Sequence, residues 1–298
     1  MADKYPPICD YEDSDYQTSF WDQGGRAYED QVEAVALERL LPPSGKLMLE
    51  IGAGAGRNTP RYKNFERIVV MDYSLTQLQQ AQERLGRSER YILVAADVYS
   101  LPFIDGLFDT ATMIRVIHHL AEAPMALGEI RRVMQPAGIF ILEFANKLNI
   151  KAILRYLLQR QDWNPFTPEP VEFVPLNFDF HPKMVSAWLQ EAGFHIERQV
   201  TVSHFRIGLL KRLIPLKLLV ALDSLAQLTG EWWQLTPSVF VKSQAVGRNS
   251  ISSHHPEAFF RCPACGHNLP DETPDALVCP DCDKAWPIQD GLYDFRGK

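Results

Sequence analysis

Leu47-Met48-Leu49-Glu50-Ile51-Gly52-Ala53-Gly54-Ala55-Gly56 decides the fold of this 298-residue chain. An apolar run carries one acidic residue and then breaks into glycines at alternate positions. That is the pattern of a buried parallel strand turning sharply into a helix beneath a ligand. Each glycine lacks a Cβ, so the backbone can take unusual dihedrals and approach a small molecule closely. Twenty residues after Gly52, at the end of Ile68-Val69-Val70-Met71, stands Asp72. An acidic residue at that spacing is placed to bind both hydroxyls of a ribose.

The spacing separates two classes of ligand. A dinucleotide fingerprint, G-x-G-x-x-G, would require glycine at 57, where the chain has Arg57. The observed G-x-G-x-G, led by Glu50, cradles no pyrophosphate and suits a zwitterionic methionine tail. Further motifs follow in order: Ala95-Ala96-Asp97-Val98 after a third strand, and Phe108-Asp109-Thr110-Ala111 opening a fourth. Leu127 through Glu143, with Gln135-Pro136-Ala137-Gly138, then reads as helix, turn and strand. On these motifs, over residues 45–145, the chain resembles the class I S-adenosylmethionine (SAM)-dependent methyltransferases. Within that class it is similar to the methyltransferase type 11 and ubiquinone/menaquinone C-methyltransferase-like proteins. The resemblance implies an α/β, Rossmann-like doubly wound sheet of seven strands, the last antiparallel. It also implies that Glu50 holds the methionine amino group, that Gly52, Gly54 and Gly56 admit the cofactor, and that Asp72 binds ribose. Asp97 would take the adenine amino group, with Val98 beside it.

Composition bounds the rest. The chain is 46% hydrophobic and 22% charged, ordinary for a globular protein with ample core. A net charge of −7 argues against a broad nucleic-acid footprint without excluding a local basic groove. Residues 1–20 lack the apolar core of a signal peptide, and no run approaches a membrane span. Four of five cysteines form two C-x-x-C pairs, which favours metal over disulfides and a cytoplasmic location.

Residues 1–44 are expected to supply a segment and a helix (27–41) that cover the cofactor site, with Tyr16, Phe20 and Trp21 over its mouth. From 45 to 145 strands are expected near 47–51, 67–72, 91–96, 108–114 and 138–144, and helices near 57–65, 75–85 and 123–134. The methyltransferase domain should run from 45 to 246, with substrate-side insertions at 146–180 and 203–236. In the first, Ile150, Ile153, Leu154, Leu157 and Leu158 form an amphipathic helix, followed by a proline- and aromatic-rich loop from Asp162 to Pro175. In the second, residues 205–228 set Lys211, Arg212 and Lys217 among leucines. That pattern packs as a lid or lies on a membrane surface, with Pro215 only kinking the helix. His118 and His119 follow the fourth strand, at the rim where the resemblance places substrate, and either imidazole could accept a proton.

A polar linker, 247–258, leads to a tail at 259–298. There Cys262-Pro263-Ala264-Cys265 and Cys279-Pro280-Asp281-Cys282 are separated by thirteen residues. Two C-x-x-C turns complete a tetrahedral thiolate site, structural because no position stays open; zinc is expected, with iron the competitor. Trp286-Pro287-Ile288-Gln289-Asp290-Gly291 resembles the end of small zinc-ribbon proteins that activate some tRNA and protein methyltransferases. The resulting expectation is a SAM-dependent methyltransferase acting on an O, N or C nucleophile of a small-molecule or lipid-like acceptor. An RNA or protein methyltransferase engaging its substrate through the ribbon is the alternative, and a SAM-binding scaffold the second.

Overall fold

Residues 47–51 form the centre of the sheet because, Glu50 apart, they are apolar on both faces and need cover on both. The computed structural model describes residues 6–14, 19, 21, 23–247, 258–269 and 275–297. Tyr16, Phe20 and nearly all of the 247–258 linker lie outside them. The strands are β1 (Gly45–Ile51), β2 (Phe65–Asp72), β3 (Tyr91–Ala95), β4 (Phe108–Met113), β5 (Met134–Ala145), β6 (Val171–Val174), β7 (Asn177–Asp179), β8 (Phe194–Val202) and β9 (Ser238–Ala245). The tail adds β10 (Ala276–Val278), β11 (Ala285–Gln289) and β12 (Leu292–Asp294). The helices are α1 (Ala27–Leu40), α2 (Leu75–Leu85), α3 (Ala123–Val133), α4 (Ile150–Leu157), α5 (Pro182–Glu191), α6 (Gly208–Leu213) and α7 (Leu216–Ala226).

The sheet runs β10-β11-β12-β3-β2-β1-β4-β5-β9-β8, with β6 and β7 forming a separate hairpin. From β3 to β5 all pairs are parallel, and β9 is antiparallel to both β5 and β8. This is the doubly wound order expected, but the sheet has ten strands among the described residues rather than seven. Three come from the tail, because β12 pairs in parallel with β3 (Leu292 with Leu93, Tyr293 with Val94, Asp294 with Ala95). Phe260 stacks on Phe103 at 5.9 Å and packs on Phe295 at 5.0 Å, so ribbon and sheet share one apolar core.

Three local expectations are corrected. No α-helix forms at 57–65: only eight residues separate Gly56 from β2, and they make a single 3-10 turn at Thr59–Arg61, with Pro60 inside it. The 205–228 helix is two helices, because Pro215 has no N–H and serves instead as the N-cap of α7. The 162–175 loop continues into the β6–β7 hairpin. Elsewhere the local rules hold. The Ser74 side chain caps α2 by accepting from the Gln77 amide at 3.2 Å, and α1 buries Val32, Ala36, Leu37 and Leu40. The carboxyl ends of β1, β2 and β3 thus converge on one edge, where ligands of such sheets bind.

Candidate active site

Gly52 and Gly54 turn the chain off β1 with φ of +66° and +53°, the left-handed region that glycine enters without penalty. A Cβ on Gly52 would lie 2.1 Å from a Val116 methyl, so the turn also needs glycine for space. The Gly54 amide donates to Asp72 Oδ2 at 2.8 Å, and the Ser74 amide to Oδ1 at 2.9 Å. The glycine turn and the acidic end of β2 are therefore fastened together. Burial pushes the Asp72 carboxyl above its usual range, although three backbone amides pull the other way. At the end of β3, Asp97 Oδ1 accepts from the Tyr99 amide at 2.9 Å.

Glu50 is buried behind the turn and accepts a hydrogen bond from the Thr59 hydroxyl at 2.5 Å. Desolvation pushes its carboxyl up to about 7, against the Thr59 hydroxyl and the nearby Arg57 guanidinium. Gly56 packs against Ala81 and Leu85 of α2. Of the sequence-derived residues, Gly52, Gly54, Asp72, Asp97, Val98 and His119 line one cleft. Glu50, Gly56 and His118 are not part of its wall.

Other cleft residues carried no sequence motif. Ile8, Cys9 and Tyr11 of the N-terminal segment lie across it, and Gln77 and Tyr99 complete the sides. The Gln77 Oε1 is buried without a hydrogen-bond partner, an acceptor waiting for a donor. With Asp72 and Asp97 as further acceptors and Met71, Ala96, Val98 and Leu120 as apolar walls, the residues fit an adenosine carrying a cationic tail. The expected N-terminal cover is present, but through Ile8, Cys9 and Tyr11 in the cleft lining, not through Trp21, which lies on Arg57 and Arg115 instead.

His119 joins the two sides of the site. Its Nδ1 lies 3.0 Å from the Leu176 carbonyl in the β6–β7 turn, and its Nε2 lies 3.1 Å from the Tyr11 hydroxyl. A carbonyl only accepts, so Nδ1 carries the proton and Nε2 receives the Tyr11 O–H. Burial holds His119 below its ordinary value, so the imidazole is neutral near pH 7. The ring of His118 lies 4.1 Å from that of His119, but its buried Nδ1 has no partner. Desolvation lowers His118 further still.

Arg115, at φ +61°, serves a structural carboxylate: its Nε donates to buried Glu33 at 2.7 Å. Arg57 donates to the same carboxylate at 2.9 Å, and the Trp21 ring lies 3.6 Å from the Arg57 guanidinium carbon. Glu33 stays well ionised because Arg115 and Arg57 together outweigh its desolvation. The Arg115 amide donates to Glu143 Oε2 at 2.9 Å, while the Ser238 hydroxyl donates to Oε1 at 2.6 Å.

In the tail, the four sulfurs of Cys262, Cys265, Cys279 and Cys282 lie within 4.8 Å of one another, with pairs at 3.8 and 3.4 Å. Zinc–sulfur bonds of about 2.3 Å in a tetrahedron require sulfur separations near 3.8 Å, so the set fits zinc. The two turns repeat one geometry. The Cys262 carbonyl accepts from the Gly266 amide and the Cys279 carbonyl from the Asp283 amide, and both donors have positive φ.

Residues 49–142 match the methyltransferase domain family, and residues 258–291 match the Trm112p-like protein family. A demethylmenaquinone methyltransferase of Clavibacter sepedonicus is 29% identical over 180 residues, covering 55% of this chain and 72% of that relative. One from Corynebacterium kroppenstedtii is 34% identical over 110 residues, covering 36% of this chain and 46% of the relative. A chain from the complex between the Haloferax volcanii Trm112 methyltransferase activator and a methyltransferase superposes with a TM-score of 0.54 at 15% identity. That match covers 78% of this chain and 97% of the other, and shows a shared fold. The chain thus carries a SAM-dependent methyltransferase domain of the class I fold, followed by a Trm112p-like domain built on four cysteines.

Proposed function

We propose that this protein transfers the methyl group of SAM to a small, lipid-like acceptor of quinol type. The observation that carries the reading is the hydrogen bond between His119, in the cofactor cleft, and Leu176, in the turn of the β6–β7 insertion. This bond sets the insertion at the rim of the cleft, where it would form the wall for an acceptor; there Phe166, Phe173 and Val174 are exposed and Phe173 packs edge-on against Trp163 at 5.7 Å. Such a wall suits a flat apolar ring. The names of the relatives, demethylmenaquinone methyltransferases, agree with that class.

SAM supplies an electrophilic methyl carbon when bound. Glu50 would balance its ammonium group through the glycine turn, Asp72 would take the ribose hydroxyls and Asp97 the adenine amino group. Alignment and exclusion of water account for most of the rate in such a displacement. Tyr11 and His119 stand where an acceptor hydroxyl would arrive, and neutral His119 Nε2 would take its proton if Tyr11 yields its hydrogen bond.

A second reading, an RNA or protein acceptor engaged through the tail, draws on the Trm112p-like match. The chain's net charge of −7 weighs against RNA. Labelled SAM offered with the lipid, RNA and protein fractions of one lysate separates the two. Label in the lipid fraction, with demethylmenaquinol as a defined acceptor, is expected; label confined to RNA or protein would overturn the proposal.

A further inference from the structure

We infer that the face formed by α4 and the 203–237 segment docks on a bilayer bearing anionic headgroups. On α4 and its C-cap, Ile150, Leu154, Leu157 and Leu158 recur at helical spacing yet are 58%, 53%, 66% and 61% exposed, and only Ala152 of the helix is buried. Four side chains of that kind on two turns should face a core, and here they face outward. Across a groove of about 550 Å³, Ile207 and Trp233 meet the same helix face. Leu209 and Leu213 continue the exposed apolar surface from Ile207.

Charge identifies the occupant. Residues 150–160 and 203–237 carry seven Lys and Arg against two acids, buried Asp223 and exposed Glu231, in a chain whose net charge is −7. Arg206 and Lys211 are engaged by Glu29. Among the described residues no ion pair involves Lys151, Arg155, Arg160, Arg212 or Lys217. Leucines flanked by unpaired cations, with an exposed tryptophan at the margin, match an interfacial helix lying in the headgroup layer. A second copy is the wrong occupant: an isologous pair would set these cations against themselves. No described helix is long and apolar enough to cross a membrane, so the contact is peripheral. Arg206, in the groove, pairs with Glu29, and Arg115, in the cleft wall, pairs with Glu33 one turn further along α1, so on the acceptor reading above a bilayer on this face would sit at the acceptor side.

The test is sedimentation of the full chain with vesicles of phosphatidylcholine containing roughly a quarter phosphatidylglycerol, against phosphatidylcholine alone. Binding to the anionic vesicles is expected, falling steeply as salt is raised to about 0.5 M. Lys151→Glu with Arg155→Glu should lower the partition coefficient by more than tenfold, since each cation near such a surface contributes roughly fivefold. Leu154→Asp with Leu158→Asp should do the same while SAM binding stays intact, which shows that the variant is folded. Equal binding to neutral and anionic vesicles, or indifference to both double variants, would overturn the inference. So would a self-association in sedimentation velocity that the aspartates abolish. The assay contains no methyl acceptor, so its failure is distinct from failure of the acceptor reading.

Discussion

Arg296, in the last turn of the Trm112p-like tail, donates from Nη1 to Glu12 Oε2 at 2.9 Å, a contact spanning 284 positions of sequence. Glu12 in turn accepts the Leu75 and Thr76 amides at the N-terminus of α2, at 3.1 and 2.9 Å. A carboxylate there satisfies free amides and meets the positive end of the helix dipole. Glu12 directly follows Tyr11 in the segment over the cofactor cleft, and Arg296 also reaches the Tyr73 carbonyl. The tail therefore pins the segment that lies across the cleft.

Arg296→Ala should accordingly loosen that segment. Arg296 is 7% exposed and Glu12 32%, so the pair contributes about 1 kcal/mol after screening, roughly a fivefold loss of SAM affinity. Calorimetry with unchanged affinity would show that the tail and that segment are uncoupled.

At the glycine turn, Asp72→Asn should weaken SAM at least tenfold, because the ribose loses a charge-assisted acceptor contributing about 1.5–3 kcal/mol. Asp72→Ala should do more damage, since it also unfastens the Gly54 and Ser74 amides. A folded Asp72→Asn protein that binds SAM normally would remove ribose from that strand end.

Glu50 gives a pH prediction. Its folded value of about 7 lies above the ordinary 4.5, so the folded state holds the proton more tightly than the unfolded chain. The stability this confers is complete below about pH 4.5 and is lost as pH rises through about 7. Ligand-free Glu50→Gln should therefore melt higher than the parent at about pH 8, while binding SAM more weakly. A cationic ligand would draw the proton off, so binding near neutrality should release protons, read as a dependence of binding enthalpy on buffer ionisation. No melting gain and no proton release would sink the assignment.

For the proton acceptor, His119→Ala should depress turnover severalfold or more with SAM affinity near parental, and Tyr11→Phe should act in the same direction more weakly. Because burial lowers His119, the acid limb of the kcat profile should fall below the ordinary 6.5. Loss of turnover and cofactor binding together would make the residue structural.

How far these features could be read from the residues depends on their range. Glu50, the glycines, Asp72 and Asp97 are set by strand ends, and strand ends are local: an apolar run, an acid and a break. The failures at 57–65 and at Pro215 were local too, where a short connection and a missing N–H overrode helical composition. What no local pattern carries is pairing at a distance. Leu292–Asp294 is a three-residue strand with no signal of its own, and its partner β3 lies some two hundred residues earlier. Likewise nothing in Tyr11 or Leu176 announces that both meet His119.

That distant pairing decides the last prediction. Forty residues, 259–298, cannot sustain a core without a staple, and four thiolates on zinc would supply it. A free-standing ribbon would melt by itself on losing its metal. Here β12 covers the edge of β3, the Phe295 amide donates to the Ala95 carbonyl at 2.8 Å, and Phe260 lies on Phe103. Removing the tail would uncover an apolar parallel edge next to Asp97. Elemental analysis should give about one zinc per chain, and Cys279→Ser should release it. The Cys279→Ser protein should then melt lower in a single transition, with weaker SAM binding, rather than lose the tail alone. A stop after 247 should yield aggregated protein. Two separate transitions, the upper one unchanged by Cys279→Ser, would show instead that sheet and ribbon are energetically independent.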